Sequence, residues 1–475
     1  MQSCPAHGIT TGSRAASTRG EVVRGVRLPP GPPWGMPVHL TWWLLRPVEL
    51  MEHCRRRYGD RFTLKLPLQR HAVFFATPAA VRDLFTGSPD ALHAGEANVV
   101  LEPIVGRTSI LLLDGERHVR QRRLLMPPFH GERMLAYVAS MCEATRRAMA
   151  DVVPGRPTPV QPIAQRITLD VILETVLGVE DPSDRTSLGQ LLTELLARSA
   201  HPLLLVPALR LERLPWTAAA QGVRLLQEVD RRLYAFIEAR EVRGTREGSD
   251  VLAMLLEARD EHGMPMSRVE LRDALMTLLL AGHETTATTL AWAFGHLVAH
   301  PDALARAHEE VDRVFDGDRL EPARVAQLTW IDAIVRETLR LRPVLPVVGR
   351  VTKTPVVVDG TELPAGVMAV PCIYLVHRHP DVWPRPERFD PERFLNHKPS
   401  PYEYLPFGGG ARRCLGMAFA LQEARVVLAT MLRQWTVRPV PGHRTRVERR
   451  SITLAPAEGM PVLFERRDAS RRAYA

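Results

Sequence analysis

The stretch from Phe407 to Gly416 constrains this chain more than any other, because it places one cysteine in a glycine-rich loop directly before an apolar helical pattern. Glycines let a backbone approach a flat cofactor closely, and the start of the following helix favours the anionic form of a thiol. Most lone cysteines are buried structural residues, which is the alternative here. The pattern nevertheless favours an open thiolate ligand at Cys414.

The fixed positions of this stretch follow the spacing Phe-Gly-x-Gly-x-Arg-x-Cys-x-Gly, which chance rarely produces. A thiolate held in this way can ligate haem iron and push electron density toward O–O cleavage. The stretch resembles the haem-binding loop of the cytochrome P450 family. The resemblance implies that Cys414 ligates the iron of haem b (iron protoporphyrin IX). It assigns further haem contacts to four loop residues: Phe407, Gly408, Arg412 and Gly416.

The resemblance also implies a fold and an activity. The fold is mostly α with smaller β regions, and a long central helix crosses over the haem. The activity is monooxygenation, in which one oxygen atom of O2 enters a small apolar molecule and a separate protein supplies the electrons. Two alternatives stay open: a peroxide-using or isomerising haem-thiolate enzyme, and a haem sensor or electron carrier without catalysis.

Length and composition agree with a large globular domain. The chain has 475 residues, of which 45% are hydrophobic, enough to bury a sizeable core. Five cysteines are scattered without Cys-x-x-Cys spacing, which indicates neither a disulfide framework nor a zinc site and favours a reducing cytoplasm. The sequence contains no run of about 18 apolar residues, so it predicts no transmembrane helix.

The ends of the chain differ from its centre in composition. Residues 1–27 are rich in Ser, Thr, Gly and Arg, which predicts a disordered tail; a transit peptide and a misassigned start codon are alternatives. Residues 28–465 are expected to form one domain, and residues 466–475 a short basic tail. We expect a monomer.

The net charge of +9 raises the question of nucleic-acid binding. The basic residues are dispersed among 53 acids and are not gathered with stacking aromatics in one tract. We therefore expect no nucleic-acid partner.

Hydrophobic periodicity predicts a helix over 49–58, strands near residues 62–66 and 73–75, and a β-rich block over 356–370 with a tight turn at Asp359-Gly360. A long helix should begin after Ser267, which forms a capping box with Glu270, and end before Pro301.

Two shorter helices should follow. One starts at Thr329 with Asp332 as the acid of its cap and ends before Pro343. The last runs from the cysteine loop to about Gln434.

The middle of the long helix contains Ala281-Gly282-His283-Glu284-Thr285-Thr286. Glycine and threonine lower helix propensity, and a threonine hydroxyl can bend the backbone ladder, which suggests a functional site. A helix–helix contact through small residues is the alternative. The resemblance assigns Thr285 to holding dioxygen and its waters, Glu284 to connecting the site with bulk protons, and Ala281 to the substrate pocket.

A Glu-x-x-Arg pair, Glu337 and Arg340, lies on one face of the helix that begins near Thr329. Alone, such a pair is a common surface ion pair worth little. The resemblance joins it with Arg393 in a buried network beneath the haem, and it excludes Arg388 from that role.

Haem carries two propionates, so several cations should converge on it. His118 and Arg122 lie at i,i+4 on one helical face, and the resemblance gives them this role together with Arg350 and Arg412. Four further arginines are expected to face outward as a basic patch for an acidic ferredoxin or flavodoxin-type electron donor that works with its reductase: Arg117, Arg120, Arg123 and Arg413. A solvated charge run explains them equally well.

Apolar side chains in three segments are the candidate pocket lining, although each could simply belong to the core. The candidates are Ile104, Val105, Ile110, Leu111, residues 203–206, Leu345, Val347 and Val348. Together they favour a terpenoid, fatty acid or similar lipid-like substrate.

Overall fold

The computed structural model describes residues 20–67, 70–129, 133–179, 181–199, 217–243 and 250–467. The α-helices of these residues are α1 Met36–Leu45, α2 Pro47–Tyr58, α3 Pro78–Thr86, α4 Glu102–Val105, α5 Gly115–Leu125, α6 Arg133–Met149, α7 Val160–Leu177, α8 Pro182–Ser199, α9 Ala218–Arg243, α10 Val251–Glu257, α11 Arg268–Ala299, α12 Pro301–Val314, α13 Thr329–Leu341, α14 Ile373–Val376, α15 Arg393–Asn396 and α16 Met417–Gln434. The strands are β1 Val22–Val23, β2 Val26–Arg27, β3 Arg61–Leu66, β4 Arg70–Phe75, β5 Leu92–His93, β6 Pro157–Pro159, β7 Arg350–Thr352, β8 Val356–Val358, β9 Thr361–Leu363, β10 Met368–Pro371, β11 Trp435–Pro439, β12 Val447–Arg450, β13 Thr453–Pro456 and β14 Pro461–Arg466.

The long central helix is α11, and its predicted start is confirmed. Ser267 Oγ accepts the Glu270 N–H at 3.2 Å, and the Glu270 carboxylate accepts the Ser267 N–H at 2.8 Å. Two of the donors that every helix start leaves unpaired are thereby satisfied. The helix ends at Ala299, and Pro301 opens α12, as expected.

The main hydrophobic core surrounds α11, against which α7, α13 and α16 pack. A Cβ atom at Gly282 would lie 2.4 Å from Ile172 Cδ1 of α7. The glycine therefore lets the two helices approach closely, so part of the conspicuous motif in α11 does serve helix packing.

The largest sheet has five strands in the order β3-β4-β10-β7-β5. Strands β4 and β10 are parallel, and the other pairs are antiparallel. The predicted turn between β8 and β9 is confirmed: Asp359 and Gly360 have φ of 46° and 70°, as a two-residue hairpin turn requires.

The folded part of the chain includes residues that the composition assigned to the two tails. Strands β1 and β2 form a hairpin, Lys65 Nζ of β3 lies 2.6 Å from the Glu21 carboxylate, and the Leu28 N–H donates to Glu21 O. At the other end, Arg467 Nη2 lies 2.6 Å from the Asp312 carboxylate. Residues 20–27 and 466–467 thus belong to the folded part, contrary to the expected tails.

The predicted cap of α13 is wrong. Thr329 lies inside the helix and donates its hydroxyl to Glu310 Oε1 at 3.1 Å. The buried carboxylate of Glu310 accepts the N–H groups of Trp330 and Ile331 at 2.8 and 2.9 Å. A residue of α12 therefore caps α13, and Asp332 instead pairs with Arg336 at 2.5 Å.

No described helix is both long enough and apolar enough to cross a lipid bilayer.

Candidate functional site

The loop before α16 has the geometry that its glycines predict. The Cys414 N–H donates to Phe407 O at 2.9 Å. A Cβ atom at Gly409 would lie 2.2 Å from the Phe85 ring, and one at Gly410, whose φ is 62°, would lie 2.1 Å from Phe85 O. Both positions need glycine because the loop lies directly against the end of α3.

Cys414 itself is exposed, and a Cβ atom at Gly416 would meet no atom within 4 Å. The surrounding protein still raises the pKa of the thiol through desolvation. The Gly416 N–H and the charges of Arg122 and Arg413 act in the opposite direction and favour the thiolate. The thiol is thus accessible to a ligand and lies beside groups that stabilise its anion.

Residues Ala281 and Thr285 share one face of α11. Ala281 is exposed in the middle of a helix whose other central residues are buried or half-buried. The Thr285 hydroxyl donates to Ala281 O at 2.6 Å. Since its proton is used in this bond, the lone pairs of the hydroxyl oxygen remain available as acceptors.

Glu284 points toward α7 instead. Gln161 Nε2 donates to its Oε1 at 3.0 Å, and Gln165 Nε2 donates to its Oε2 at 2.6 Å. Burial raises the pKa of Glu284, and these hydrogen bonds oppose the shift. Neither glutamine was predicted from the sequence, although two polar residues at i,i+4 in an apolar helix were a usable signal.

A second buried carboxyl lies on the α16 side of α11. Glu423 is 1% exposed, and burial raises its pKa to about 8, against the effect of the nearby Thr286 hydroxyl. Glu423 was not predicted as a site residue either, although an acid within the apolar run of α16 was a signal in the sequence.

Cations converge between α5, β7 and the cysteine loop. Arg412 donates to Ile110 O at 3.1 Å and pairs with Asp114. Arg122 Nη1 donates to Arg413 O at 2.8 Å. His118 is 4% exposed, and its burial together with the neighbouring arginines lowers its pKa to about 4, so it is neutral at pH 7.

Within this cluster, the positive charge of Arg350 is the least compensated by nearby acids. It is 7% exposed and has no ion pair with any described residue; its Nη1 donates only to Gly349 O, at 2.8 Å. Burial and the charge of Arg412 lower its pKa to about 10. Arg350 and Arg412 therefore share one acid, Asp114, and an additional anion would stabilise the cluster. Two propionates meet this requirement, so the residues present fit a haem.

The Glu-x-x-Arg pair is fully buried in the fold. Arg340 Nε and Nη2 donate to the two oxygens of Glu337 at 2.7 and 2.8 Å, and both side chains are 0% exposed. Arg393 Nε lies 3.5 Å from Glu337 Oε1. The structure thus brings together the three residues that the resemblance joined.

Backbone carbonyls complete the coordination of Arg340. They belong to His377, Pro386 and Arg388, at 2.8, 2.8 and 3.1 Å. His377 Nε2 in turn accepts the Leu405 N–H at 2.9 Å. The network therefore holds the segment that leads into the cysteine loop, and Arg388 contributes its carbonyl rather than its side chain.

The basic patch is smaller than expected. Arg120 donates to Asp260 at 2.6 Å and to Glu270 at 2.7 Å, and Arg123 pairs with Glu261. These ion pairs connect α5 with the segment before α11. Arg120 is thereby engaged within the fold, which corrects the expectation for that residue, whereas Arg123 is exposed, as expected. Arg117 and Arg413 are exposed, as expected.

The candidate pocket residues have different surroundings. Four are half-buried and pack against hydrophobic clusters: Ile104, Ile110, Val347 and Val348. Leu111 and Leu345 are half-buried as well. Val105 is 0% exposed and belongs to the core, which corrects its assignment to the pocket. Residues 203–206 lie outside the described residues.

The loop that carries Ile104 and Ile110 is fixed to α11. Thr108 donates its N–H and its hydroxyl to Asp273 Oδ2, at 2.9 and 2.6 Å. Arg272 bridges Asp273 at 2.9 Å and Asp230 of α9 at 2.5 Å. The central helix thereby positions both the loop that carries Ile104 and Ile110 and the helix α9.

A groove of about 930 Å³ runs beside the cation cluster, between α3, α5, the loop over 258–262 and the cysteine loop. Its walls carry both positive and negative side chains, including Arg117, Glu116 and Glu261. Such a lining does not match the apolar pocket that the sequence predicted.

The family model that matches this chain is that of cytochrome P450, over residues 29–461. Cytochrome P450 135B1 of Mycobacterium tuberculosis is 40% identical over 438 residues, which cover 92% of this chain and 91% of the relative. Cytochrome P450 137 of the same species is 37% identical over 413 residues, covering 86% and 84% of the two chains.

Solved structures agree with the sequence relatives. The retinoic acid-bound cyanobacterial CYP120A1 matches with a TM-score of 0.81 and 25% identity over 93% of this chain and 99% of that chain. The haem domain of a cytochrome P450DA mutant matches with a TM-score of 0.84 and 26% identity, over 94% and 100%.

A mostly helical fold with an exposed cysteine in a glycine-rich loop and an excess of cations beside it defines a haem-thiolate oxidoreductase. The chain belongs to the cytochrome P450 family, and its activity is that of a haem-dependent monooxygenase. Its cofactor is haem b, and its reaction requires O2 and an electron donor.

Proposed function

We propose that this enzyme inserts oxygen into a small apolar, lipid-like molecule, and that Cys414 is the residue that would ligate the haem iron. The observation that carries the assignment of the ligand is the accessible Cys414 thiol in a loop that is held by Phe407 O and packed on Phe85. Phe407, Gly408 and Gly416 would lie against the cofactor.

The cation cluster would bind the propionates. Arg350, Arg412 and Arg122 would supply the positive charge, and neutral His118 would donate a hydrogen bond from its ring. When bound, the haem supplies the redox chemistry that activates O2.

Glu284 and Thr285 would move the protons that this reaction consumes. The Thr285 hydroxyl holds a fixed position on the exposed face of α11 through its bond to Ala281 O. Glu284, with its raised pKa, can take up a proton more readily than an ordinary carboxylate.

We expect Thr285→Ala to retain haem and substrate binding but to release most reducing equivalents as hydrogen peroxide. Positioned acid–base groups contribute roughly 100-fold or more in rate, so their loss should reverse the ratio of product to peroxide. The measurement is hydroxylated product and peroxide formed per NADPH. Thr285→Ser, which keeps the hydroxyl, is the matched control, and unchanged coupling in the alanine variant would contradict the proposed role.

The substrate class follows from the side chains around the candidate pocket. Aliphatic surface is offered by Ile104, Ile110, Val347 and Val348, together with Ala281. Apolar substrate surface that is removed from water against it would contribute about 25 cal/mol per Å² to the free energy of binding. The structural relative that was solved with retinoic acid bound is consistent with a lipid-like ligand. We therefore propose terpenoids or fatty acyl chains as substrates.

Neutral terpenoids and medium or long fatty acids should convert the resting iron from low to high spin at lower concentration than small polar aromatics do. A spectral titration of the purified enzyme with such a panel measures this. A shift produced only by small polar compounds would contradict the proposed substrate class and leave the haem assignment intact.

We further propose a ferredoxin or flavodoxin-type protein with its reductase as the electron donor. We also propose a monomeric state, a single catalytic domain that includes residues 20–467, and a cytoplasmic location. The exposed arginines Arg117 and Arg413 would attract an acidic donor. Free, buried Cys54, Cys142 and Cys372 suit a reducing compartment.

Charge reversal at Arg117 or Arg413 should slow reduction by an acidic donor and weaken its dependence on salt, because exposed charges steer association. Arg120→Glu should instead lower the melting temperature, because it faces Asp260 and Glu270. Stopped-flow reduction at several salt concentrations, with thermal unfolding, separates the two effects. Reduction that is independent of salt would contradict the docking proposal.

A further inference from the structure

Glu284 is held by two glutamines in a way that its proposed role does not by itself require. Gln161 and Gln165 lie one turn apart on α7, and each donates to a different oxygen of the carboxyl group, at 3.0 and 2.6 Å. Gly282 allows α7 and α11 to approach closely enough for this contact. The carboxyl is therefore fixed in orientation at both oxygens.

The groups that face Glu284 are almost all neutral. On α7 these are the two amides; on α11 the facing group is the hydroxyl of Thr288, which accepts from Gln161 Nε2 at 3.4 Å. Arg450 of β12 is the charged group that acts on Glu284, and it pairs with Glu448 at 2.7 Å. A cation in direct contact would hold the carboxyl in its ionised form.

An amide can serve both protonation states of an acid, because it has donor and acceptor atoms. Gln161 is 0% exposed, and its Oε1 has no hydrogen-bond partner within the described part of the chain. Once Glu284 is protonated, this carbonyl oxygen can accept a hydrogen bond after the amide turns, directly or through a water. Arginine or lysine in the same place could only donate.

We propose that Gln161 and Gln165 are positioning residues that hold Glu284 through neutral amides, so that the carboxyl can both accept and release a proton without losing its orientation. The proposal rests on the proposed role of Glu284 in proton delivery. Gln165 forms the shorter bond and should have the larger effect.

The test is a pH titration of the carboxyl carbonyl band of Glu284 by infrared difference spectroscopy in the haem-loaded resting enzyme, with the band assigned by its loss in Glu284→Gln. In Gln165→Lys a fixed cation should lower the titration midpoint by about 1–3 pH units. In Gln165→Leu the lost donor should raise it. Gln327→Lys adds the same charge at an exposed site and should leave the midpoint unchanged.

Opposite shifts in the two Gln165 variants would support the proposal. Unchanged midpoints, or an equal shift in Gln327→Lys, would overturn it. Peroxide formed per NADPH in Glu284→Gln tests the proposed function separately: unaltered coupling there, with shifted midpoints in the Gln165 variants, would reject the catalytic role of Glu284 and retain the amide clamp.

Discussion

Replacing Cys414 by alanine is expected to abolish the strongly red-shifted Soret band that carbon monoxide produces with a reduced haem-thiolate protein. The thiol is the accessible sulfur of the cysteine loop, and the Gly416 N–H and two nearby arginines favour its anion. Cys414 is the single cysteine of this loop, so no second thiol of the loop can replace it in the variant. The measurement is the reduced carbon monoxide difference spectrum of the purified variant.

The matched control is Cys142→Ala. Cys142 is a buried cysteine of α6, 3.5 Å from the Thr430 hydroxyl, and its replacement should leave the spectrum unchanged. A normal red-shifted band in Cys414→Ala would mean that another residue ligates the iron, and the proposed site would be wrong.

Replacing Arg340 by alanine is expected to cost roughly 3–5 kcal/mol in the free energy of unfolding, because it leaves the Glu337 carboxylate buried without its partner. Such a loss is a large part of the stability of an ordinary domain. Arg340 also holds the carbonyls of His377, Pro386 and Arg388, so the approach to the cysteine loop should loosen as well. Urea unfolding and the haem content of the purified protein measure the two effects.

Arg388→Ala is the control, because the exposed Arg388 side chain lies outside the network and only its carbonyl takes part. This variant should unfold at the same urea concentration as the parent. An Arg340→Ala protein with normal stability and full haem content would show that the network does not support the cysteine loop.

The sequence correctly predicted those structural elements that are stabilised by residues close together along the chain. The capping box of Ser267 and Glu270 and the hairpin turn at Asp359-Gly360 depend on residues within a few positions of one another, and the structure contains both. The cap of α13 failed because Glu310, from the preceding helix, occupies the N-terminus of α13. The sequence offered a nearby acid, Asp332, and could not show that a distant one was better placed.

The same distinction applies to charge. Arg120 and Arg413 look alike in the sequence, as arginines in basic stretches. The fold brings Asp260 and Glu270 to Arg120, whereas Arg413 stays exposed. Whether an arginine can meet a partner is therefore a property of contacts across the fold.

By itself the sequence determined the family, the cysteine ligand candidate and the bounds of the helices α11 and α16, because these depend on short motifs and on periodicity along the chain. Tertiary structure alone decided how Glu284 is held, which cations remain unbalanced around Arg350, and which arginines are free. The physical reason is that burial and the orientation of hydrogen bonds depend on residues far apart in sequence, such as Gln165 and Glu284, which meet only when α7 packs against α11.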